Sequence, residues 1–411
     1  GIAPIRPDIV GEAFVLARLG NGQANDGRRA VLRAFADRPS EVAAVLVRCV
    51  QDFAPRDSNT TSAQDDHDRA LAWLRAVGDA PDLPLHLLLI VVDALPQQTL
   101  ALRNLAVEWQ LRAVELLREQ AIVDPARRIE LAGNLNNLAN RLSDAGQREE
   151  ALRIAGEAVK LYSELATANP DAFRPGLAIC LNTLAVRLSE TGQRQEALNI
   201  AGKAVKLYRE LADANPDAFR PGLAMSLNNL ANSLSEVGLR EEALNIAGKA
   251  VAIRRELATA NPDAFRPDLA MSLNNLAAMF SEAGQHDAAL NIAGEVGAIR
   301  RELAAANPDA FRPDLAGSLN NLAIALSEAG QREQALRVAR ESATIYEALF
   351  RNIPEYFDNY FKFAMTTWLS LRHSVSREEA LALFQQDPDA HVRDLLEDAD
   401  DATDTPTNEG D

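Results

Sequence analysis

The sequence predicts an all-α protein, a right-handed superhelical solenoid of helical hairpins preceded by a small, mostly helical segment. Three observations predict this fold class. Alanine and leucine dominate, aromatic residues make up only 5% of the chain, and this mixture favours helices over sheets. Asn-Pro pairs and single glycines recur with a 46-residue period. Between these markers, apolar residues follow the spacing of one helix face. The chain is therefore expected to consist mainly of stacked copies of one helical unit.

Five copies of the unit are expected between residues 131 and 350. Asn-Pro pairs lie at 169–170, 215–216, 261–262 and 307–308. The glycines of the same period are Gly146, Gly192, Gly238, Gly284 and Gly330. A glycine in such a position ends a helix through a left-handed residue, and an Asn-Pro pair marks a turn. Each unit is therefore predicted to hold two helices, the first ended by the glycine and the second by the Asn-Pro pair.

The second unit shows where the helices are expected to begin and end. Pro175 suits the first turn of a helix, where no free N–H is needed, so residues 169–175 are expected to form a loop. Gly192 ends this first helix, and the second is expected from about residue 193 to 212. The apolar stripe of the first helix consists of Leu177, Leu181, Leu184, Ala185 and Leu188.

Another set of glycines lies in the middle of the predicted second helices. A glycine there costs roughly 1 kcal/mol relative to alanine, so its recurrence predicts a close approach of two helices. These glycines are Gly156, Gly202, Gly248 and Gly294.

The spacing within the unit resembles the tetratricopeptide repeat. The matching pattern is Leu181-x2-Leu184-Ala185-x2-Leu188, then eight residues, then Ala197-x3-Ala201-x2-Ala204. The usual period of that repeat is about 34 residues, and the longer period here is similar to that of kinesin light chain repeats. The resemblance implies that the first helices line a concave groove in which a protein or peptide partner binds.

The resemblance also implies which residues contact the partner. Asparagine is unfavourable inside a helix by roughly 0.6 kcal/mol, so two recurring series of asparagines are expected to form hydrogen bonds that matter. They bond either a peptide backbone, for which an amide is both donor and acceptor, or the neighbouring repeats. Methionines adapt to varied partners, and a row of acids is either a contact or a solvated face. The predicted peptide-binding residues are Asn136, Asn182, Asn228, Asn274 and Asn320 in the first series, Asn229 and Asn275 in the second, Met225, Met271, Glu236 and Glu282.

The segment before the repeats resembles part of another family. Residues 4–16 resemble a segment near the end of STAND-type signalling ATPases, which often place a repeat array directly afterwards. Residues 1–80 are therefore expected to be a winged-helix or helical remnant of a STAND-like ATPase, and the chain to be the C-terminal part of something longer. Residues 81–130 are expected to be transition helices with a degenerate repeat.

The segment after the repeats is expected to cap them. Nine of the 21 aromatic residues lie between Tyr346 and Phe384, so residues 351–395 are predicted to form helices that close the open end of the core. Residues 396–411 are acidic and polar, and they are expected to be a disordered tail.

The sequence favours binding over chemistry. No nucleotide-binding glycine loop is present, the five histidines are scattered, and the two cysteines do not have a metal-binding spacing. Cys180 takes a position that serine fills in later repeats. We therefore expect no enzymatic activity, no cofactor and no metal. The net charge of −17 argues against a nucleic-acid partner. No apolar run reaches the ~20 residues that span a bilayer, and a cytoplasmic location is expected.

Three functions fit these features. The leading hypothesis is a sensor or partner-recognition region of a larger STAND-like signalling ATPase, with self-association through an upstream part. The alternatives are a free-standing adaptor without an ATPase, and the non-catalytic part of an enzyme with an upstream effector domain.

Overall fold

The structure, a computed structural model, describes residues 24–52, 61–96, 102–352 and 354–401, and these residues form eighteen helices and no strand. The prediction of an all-α repeat solenoid is confirmed. Before the repeats lie α1 (Ala24–Asp37), α2 (Pro39–Asp52), α3 (Thr61–Gly78), α4 (Leu85–Ala94) and α5 (Arg103–Val123). The repeat hairpins are α6 (Arg127–Asp144) with α7 (Arg148–Ala168), α8 (Pro170–Glu190) with α9 (Arg194–Ala214), α10 (Pro216–Glu236) with α11 (Arg240–Ala260), α12 (Pro262–Glu282) with α13 (His286–Ala306), and α14 (Pro308–Glu328) with α15 (Arg332–Asn352). After them come α16 (Pro354–His373), α17 (Arg377–Gln386) and α18 (Pro388–Asp401).

The chain divides into two compact units, Gly1–Ile200 and Ala201–Asp411. In the first unit a single apolar core runs from Val31 on α1 to Cys180 on α8. The helices before the repeats therefore share the core of the first repeats. The segment 4–16, which carries the resemblance to STAND-type ATPases, lies outside the described residues.

The junction between repeats differs from the prediction. Asn169 is the last cap of α7 and also the first cap of α8, where its side chain accepts a hydrogen bond from the backbone N–H of Ala172 at 3.3 Å. Pro170 follows in the first helical position, so the expected loop is the start of the helix. Pro175 lies inside α8, where it removes one backbone hydrogen bond. The expectation that Pro175 begins the helix was wrong because Pro170, behind an asparagine cap, takes that place.

The long period arises from long helices. α8 and α9 each contain 21 residues. They are joined by a short turn in which Gly192 has a φ of +79°, and the N–H of Gln193 donates to the carbonyl of Leu188 at 2.8 Å. The predicted left-handed glycine cap is confirmed here and at its four counterparts in the other repeats.

The glycines in the middle of the second helices do not mark a close approach. A Cβ placed on Gly156, Gly202, Gly248 or Gly294 would have no atom within 4 Å outside its own helix. The expectation of close packing there was wrong. The close approaches involve Gly176 and Gly222 on first helices, where a Cβ would lie 2.3 Å and 2.2 Å from the rings of Tyr162 and Tyr208.

These two tyrosines belong to a series that we call the junction pairs, in which a second-helix residue meets the residue fourteen positions later on the next first helix. In the next two junctions the pair is ionic. Arg254 donates to Asp268 at 2.5 Å, and Arg300 forms the same bond to Asp314. The junction pairs are Tyr162–Gly176, Tyr208–Gly222, Arg254–Asp268, Arg300–Asp314 and Tyr346–Tyr360, the last with stacked rings 5.9 Å apart.

The last junction pair shows that α16 follows the period of the repeats. Pro354 lies 46 residues after Pro308, and Tyr360 lies 46 residues after Asp314. α16 packs against α15 and α17, and its inner face is buried through Phe361, Met365, Trp368 and Leu369. The segment predicted as a cap therefore begins as a sixth, aromatic first helix. α18 continues to Asp401, into the segment expected to be disordered, and residues 402–411 lie outside the described residues.

Candidate functional site

The first asparagine series lies on the first helices of the hairpins, one residue per repeat. Four of the five side chains are buried and one is half-buried. The exposed fractions are 8% for Asn136, 3% for Asn182, 4% for Asn228 and 1% for Asn320, whereas Asn274 is half-buried. Because a buried side chain presents little surface to a ligand, these amides lie beneath the face on which a peptide would rest.

Several of these buried amides lack a protein partner. The Oδ1 atoms of Asn136 and Asn228, and both amide atoms of Asn320, have no hydrogen-bond partner among the described residues. A buried polar atom left in this state costs about 1–3 kcal/mol. Bonding between neighbouring repeats does not account for these atoms, so the purely structural alternative explains only part of the first series.

The second series is more accessible. Asn229 and Asn275 are half-buried, and Asn321, their counterpart in the last repeat, is exposed. The Nδ2 of Asn321 donates to the Oδ1 of Asn274 at 3.0 Å. At this position the two series are joined across a junction between repeats, whereas Asn229 and Asn275 are partly exposed to solvent.

The predicted methionines lie on the same helix face as the second series. Met225 precedes Asn229 by four residues on α10, and Met271 precedes Asn275 by four residues on α12, a spacing that places side chains side by side. Met225 is half-buried and Met271 is 40% exposed. Each of these helices therefore carries an accessible apolar group beside an accessible amide.

The acidic row is part of a ladder between repeats. In it, a serine hydroxyl of one first helix donates to a glutamate of the next. The bonds are Ser143 to Glu190 at 2.8 Å, Ser235 to Glu282 at 2.6 Å and Ser281 to Glu328 at 2.5 Å. Glu236 and Glu282 are nevertheless exposed. These acids therefore have a structural role that the sequence did not predict, and they still border the face that carries the second series.

Arg141, on the first helix of the first repeat, was not among the predicted residues. The residue is 4% exposed. Its guanidinium donates to the carbonyls of Val92 and Leu95 at 3.3 and 3.4 Å, to that of Pro96 at 3.3 Å, and to the Oε1 of Gln110 at 3.3 Å. The cation thus satisfies carbonyls at the C-terminal end of α4, where positive charge is favoured. These bonds connect the helices before the repeats, α4 and α5, to the first repeat.

Arg187 takes the equivalent position in the second repeat. It pairs with Glu190 at 3.3 Å, and burial lowers the pKa of Arg187 while Glu190 and Asp144 oppose that shift. Burial likewise raises the pKa of Asp144, with Arg187 as the main opposing charge. The later repeats carry Ser233, Met279 and Ala325 here. Aligning the repeats by their period would have revealed this change from arginine to smaller residues.

Cys180, which is buried on the first helix of the second repeat, does not have the properties of a reactive thiol. Burial raises the pKa of the Cys180 thiol to about 12, so the thiol is protonated at neutral pH and is a poor nucleophile. Among the described residues, no group of three histidine, cysteine, aspartate or glutamate side chains is placed to hold a metal ion. No helix in the same part of the chain is long and apolar enough to cross a membrane.

Comparison with known proteins agrees with the repeat architecture. The tetratricopeptide repeat family matches residues 132–166, 177–217, 223–261, 269–309 and 315–351. The boundaries of these five matches fall within the five hairpins α6–α7 to α14–α15, apart from short overhangs at the junctions. Residues 132–351 therefore form a module of tetratricopeptide repeats, a type of module through which proteins interact.

Solved structures show similar folds at low identity. BtubC (BKLC) from P. vanneervenii has 22% identity and a TM-score of 0.48, with 60% of this chain and 92% of that chain covered. Putative kinesin light chain repeats from Podosopora anserina have 22% identity and a TM-score of 0.41, covering 53% and 95%. A STAND protein with a tetratricopeptide repeat sensor from Pyrococcus horikoshii has 13% identity and a TM-score of 0.44, covering 94% and 60%. Among proteins with curated descriptions, none matches the sequence.

Proposed function

We propose that the repeats bind an extended peptide segment of a partner protein along the first helices, with Asn229 and Asn275 bonding its backbone. The observation that carries this proposal is the pairing of an accessible amide with an accessible methionine on successive helices α10 and α12. Amides suit backbone recognition because they donate and accept. Methionines suit varied side chains. Recurrence on successive repeats favours a ligand that itself repeats, as a peptide backbone does.

The buried asparagines of the first series support the same proposal, because they form a second layer of amides beneath the face that carries the second series. The unpartnered amide atom of Asn228 lies one residue from Asn229. The exposed carboxylates of Glu236 and Glu282 border the face, so a segment with basic or neutral residues would suit it better than an acidic one. On this basis we assign Asn136, Asn182, Asn228 and Asn274 to support of the contact layer.

The wider context that we propose is a sensor region of a STAND-like signalling ATPase acting in the cytoplasm. Support comes from the resemblance of residues 4–16 to the segment that precedes repeat arrays in such proteins. In this arrangement, a partner bound to the repeats would shift an attached ATPase between resting and assembled states.

Replacing both second-series amides tests the binding proposal. Peptides of twelve residues are first selected on the wild-type chain from a random displayed library, and their dissociation constants are measured by fluorescence anisotropy. The variant N229A/N275A should bind them about five- to a hundred-fold more weakly, because each lost hydrogen bond is worth about 0.5–1.5 kcal/mol.

A matched control separates contact from helix stability. Asn245 and Asn291 are exposed asparagines on the second helices of the same two repeats, so N245A/N291A changes helix propensity equally but removes no proposed contact. Equal loss of binding in both variants, or a library that yields no binder, would refute the proposal.

A second experiment tests the assignment of the ATPase to another part of the protein. The chain contains no phosphate-binding glycine loop. Titration calorimetry of the purified chain with ATP and magnesium should therefore show no micromolar binding. Saturable binding in that range would mean that nucleotide recognition resides in these residues.

A further inference from the structure

A cavity of about 620 Å³ lies in the second unit where the last repeat meets α16. Gly317 lines it, at the position that Met225 and Met271 hold in the two preceding repeats. A methionine in place of Gly317 would extend toward the same space, since even a Cβ there would lie 3.1 Å from the hydroxyl of Tyr346. The change to glycine at this one repeat therefore helps to keep the cavity open.

Four aromatic residues contribute to the walls of this cavity, which we call the cap pocket: Tyr346, Phe357, Tyr360 and Phe363. Tyr346 and Tyr360 stack with ring centroids 5.9 Å apart. Tyr360 is 48% exposed and Phe363 is 42% exposed, and both line the opening together with Met271. Large apolar groups that remain half open to water around a single cavity favour an apolar ligand group that would cover them.

A buried side-chain amide with no hydrogen-bond partner in the described part of the chain also lines the cap pocket. Asn320 lines the cavity and is 1% exposed, and neither its Oδ1 nor its Nδ2 has a hydrogen-bond partner among the described residues. A buried amide is costly to leave unbonded. One acceptor and two donors in this position match a ligand that offers both an N–H and a C=O, as a peptide group does.

The positive charge of Arg300 at the cap pocket is already paired with the carboxylate of Asp314. Arg300 lines this pocket and is buried, but its guanidinium bonds Asp314 in the fourth junction pair. An anionic group would have to compete with this carboxylate, and a cation would meet the buried guanidinium. A neutral ligand group avoids both costs.

We propose that the cap pocket binds a large apolar side chain of the partner, aromatic or leucine-like, together with the neutral peptide group next to it. The inference rests on the proposed function, since it locates one anchoring residue of the bound segment. The ring would lie between Tyr360, Phe363 and Met271, and the peptide group would bond Asn320.

Small peptide analogues test the inference without knowledge of the partner. The probes are N-acetyl-phenylalaninamide, N-acetyl-alaninamide and N-acetyl-phenylalanine with its free carboxylate. The chain contains four methionines, so methyl-labelled methionine gives four NMR signals. Met271 borders the cap pocket, and Met225 is its counterpart one repeat earlier, on α10. The phenylalaninamide probe should shift the Met271 signal saturably and leave the Met225 signal in place, and the alaninamide probe should bind at least tenfold more weakly.

Two leucine substitutions separate recognition from folding. N320L should weaken binding of the phenylalaninamide probe at least fivefold. N232L replaces a half-buried asparagine on α10 that belongs to neither asparagine series and does not line the cap pocket, and it should leave binding unchanged. Undisturbed Met225 and Met365 signals in both variants show that the fold survives. Y360A, at a half-exposed position, should weaken binding without relying on a buried substitution.

Specific outcomes would overturn the inference. These are an unshifted Met271 signal, equal binding of the alaninamide and phenylalaninamide probes, equal effects of N320L and N232L, or tenfold tighter binding of the free carboxylate. If the library peptides still bind through Asn229 and Asn275 while the probe does not bind, this inference fails and the proposed function stands. If the probe binds but no library peptide does, the proposed function fails instead.

Discussion

The second and third junction pairs solve one packing problem in two ways. At Tyr208–Gly222 a ring lies on a helix backbone, and the glycine provides the room that any side chain would fill. At Arg254–Asp268 an arginine that is 3% exposed takes the place of the tyrosine, and its guanidinium donates to a carboxylate. The comparison shows that the junction constrains two residues together, while the identity of either residue alone can change.

The two solutions have different physical vulnerabilities. A ring on glycine depends on volume, so any added atom meets the ring. An ion pair depends on the carboxylate that compensates the charge of the buried guanidinium. Burial already lowers the pKa of Arg254, so removing the carboxylate would leave a buried cation whose charged form is disfavoured. Substitutions at equivalent positions should therefore have effects of different size.

The largest effect is expected for G222D. This substitution places an aspartate, as in the Arg254–Asp268 pair, opposite the ring of Tyr208. A Cβ at this position would lie 2.2 Å from the Tyr208 ring, and the carboxylate would have no cation to meet. Overpacking alone costs about 1–3 kcal/mol, and we expect a total of about 3 kcal/mol. Denaturant unfolding followed by circular dichroism measures it, with hydrogen exchange to locate the weakened helices.

The matched control completes the ionic solution at the same junction. The double variant Y208R/G222D should recover at least 1 kcal/mol relative to G222D, as expected for residues that contact each other. Purely additive effects of the two substitutions would contradict the view that the junction constrains the pair.

A smaller effect is expected for D268A. Arg254 loses its partner, but the Asp268 side chain is 42% exposed, so water can compensate part of the loss. We expect a destabilisation of about 1–2 kcal/mol, below the ~3–5 kcal/mol for a fully buried pair. A thermal-unfolding double-mutant cycle with R254A measures the coupling, and a coupling near zero would show that the pair is incidental.

The smallest effect has the opposite sign. G248A should stabilise the chain by about 0.5–1 kcal/mol, because alanine favours the helix and a Cβ on Gly248 has nothing within 4 Å. G222A, the same change at a junction pair, should destabilise it. Thermal unfolding of the two variants side by side checks both signs, and equal shifts would contradict the distinction between open and packed glycines.

The period of the sequence predicted the five hairpins because each marker acts locally. Gly192 adopts the left-handed conformation that its position indicated. The start of the first helix could not be chosen in the same way, since Pro170 and Pro175 are both compatible with a first turn. The asparagine cap at Asn169 decided between them.

The candidate site was less predictable because neighbouring residues on a helix point about 100° apart. Asn228 and Asn229 have the same chemistry, but Asn228 is buried and Asn229 is half-buried, and composition gives no basis for choosing between them. The partners of Arg141 come from α4 and α5, so only the folded chain reveals why that cation is buried. The cap pocket depends on the absence of a side chain at Gly317, which a search for functional groups overlooks.

The junction pairs also determine how such an array can grow by duplication. The repeat 170–214 enters with Gly176 and exits with Tyr208, and the repeat 262–306 enters with Asp268 and exits with Arg300. Because these two ends match, a copy of either repeat inserted beside the original would form the same junction pair with it. The repeat 216–260 enters with Gly222 and exits with Arg254, so its ends do not match and a tandem copy would set arginine against glycine. We therefore expect gain or loss of a single repeat to be tolerated at the repeats 170–214 and 262–306, and to be destabilising at the repeat 216–260 between them.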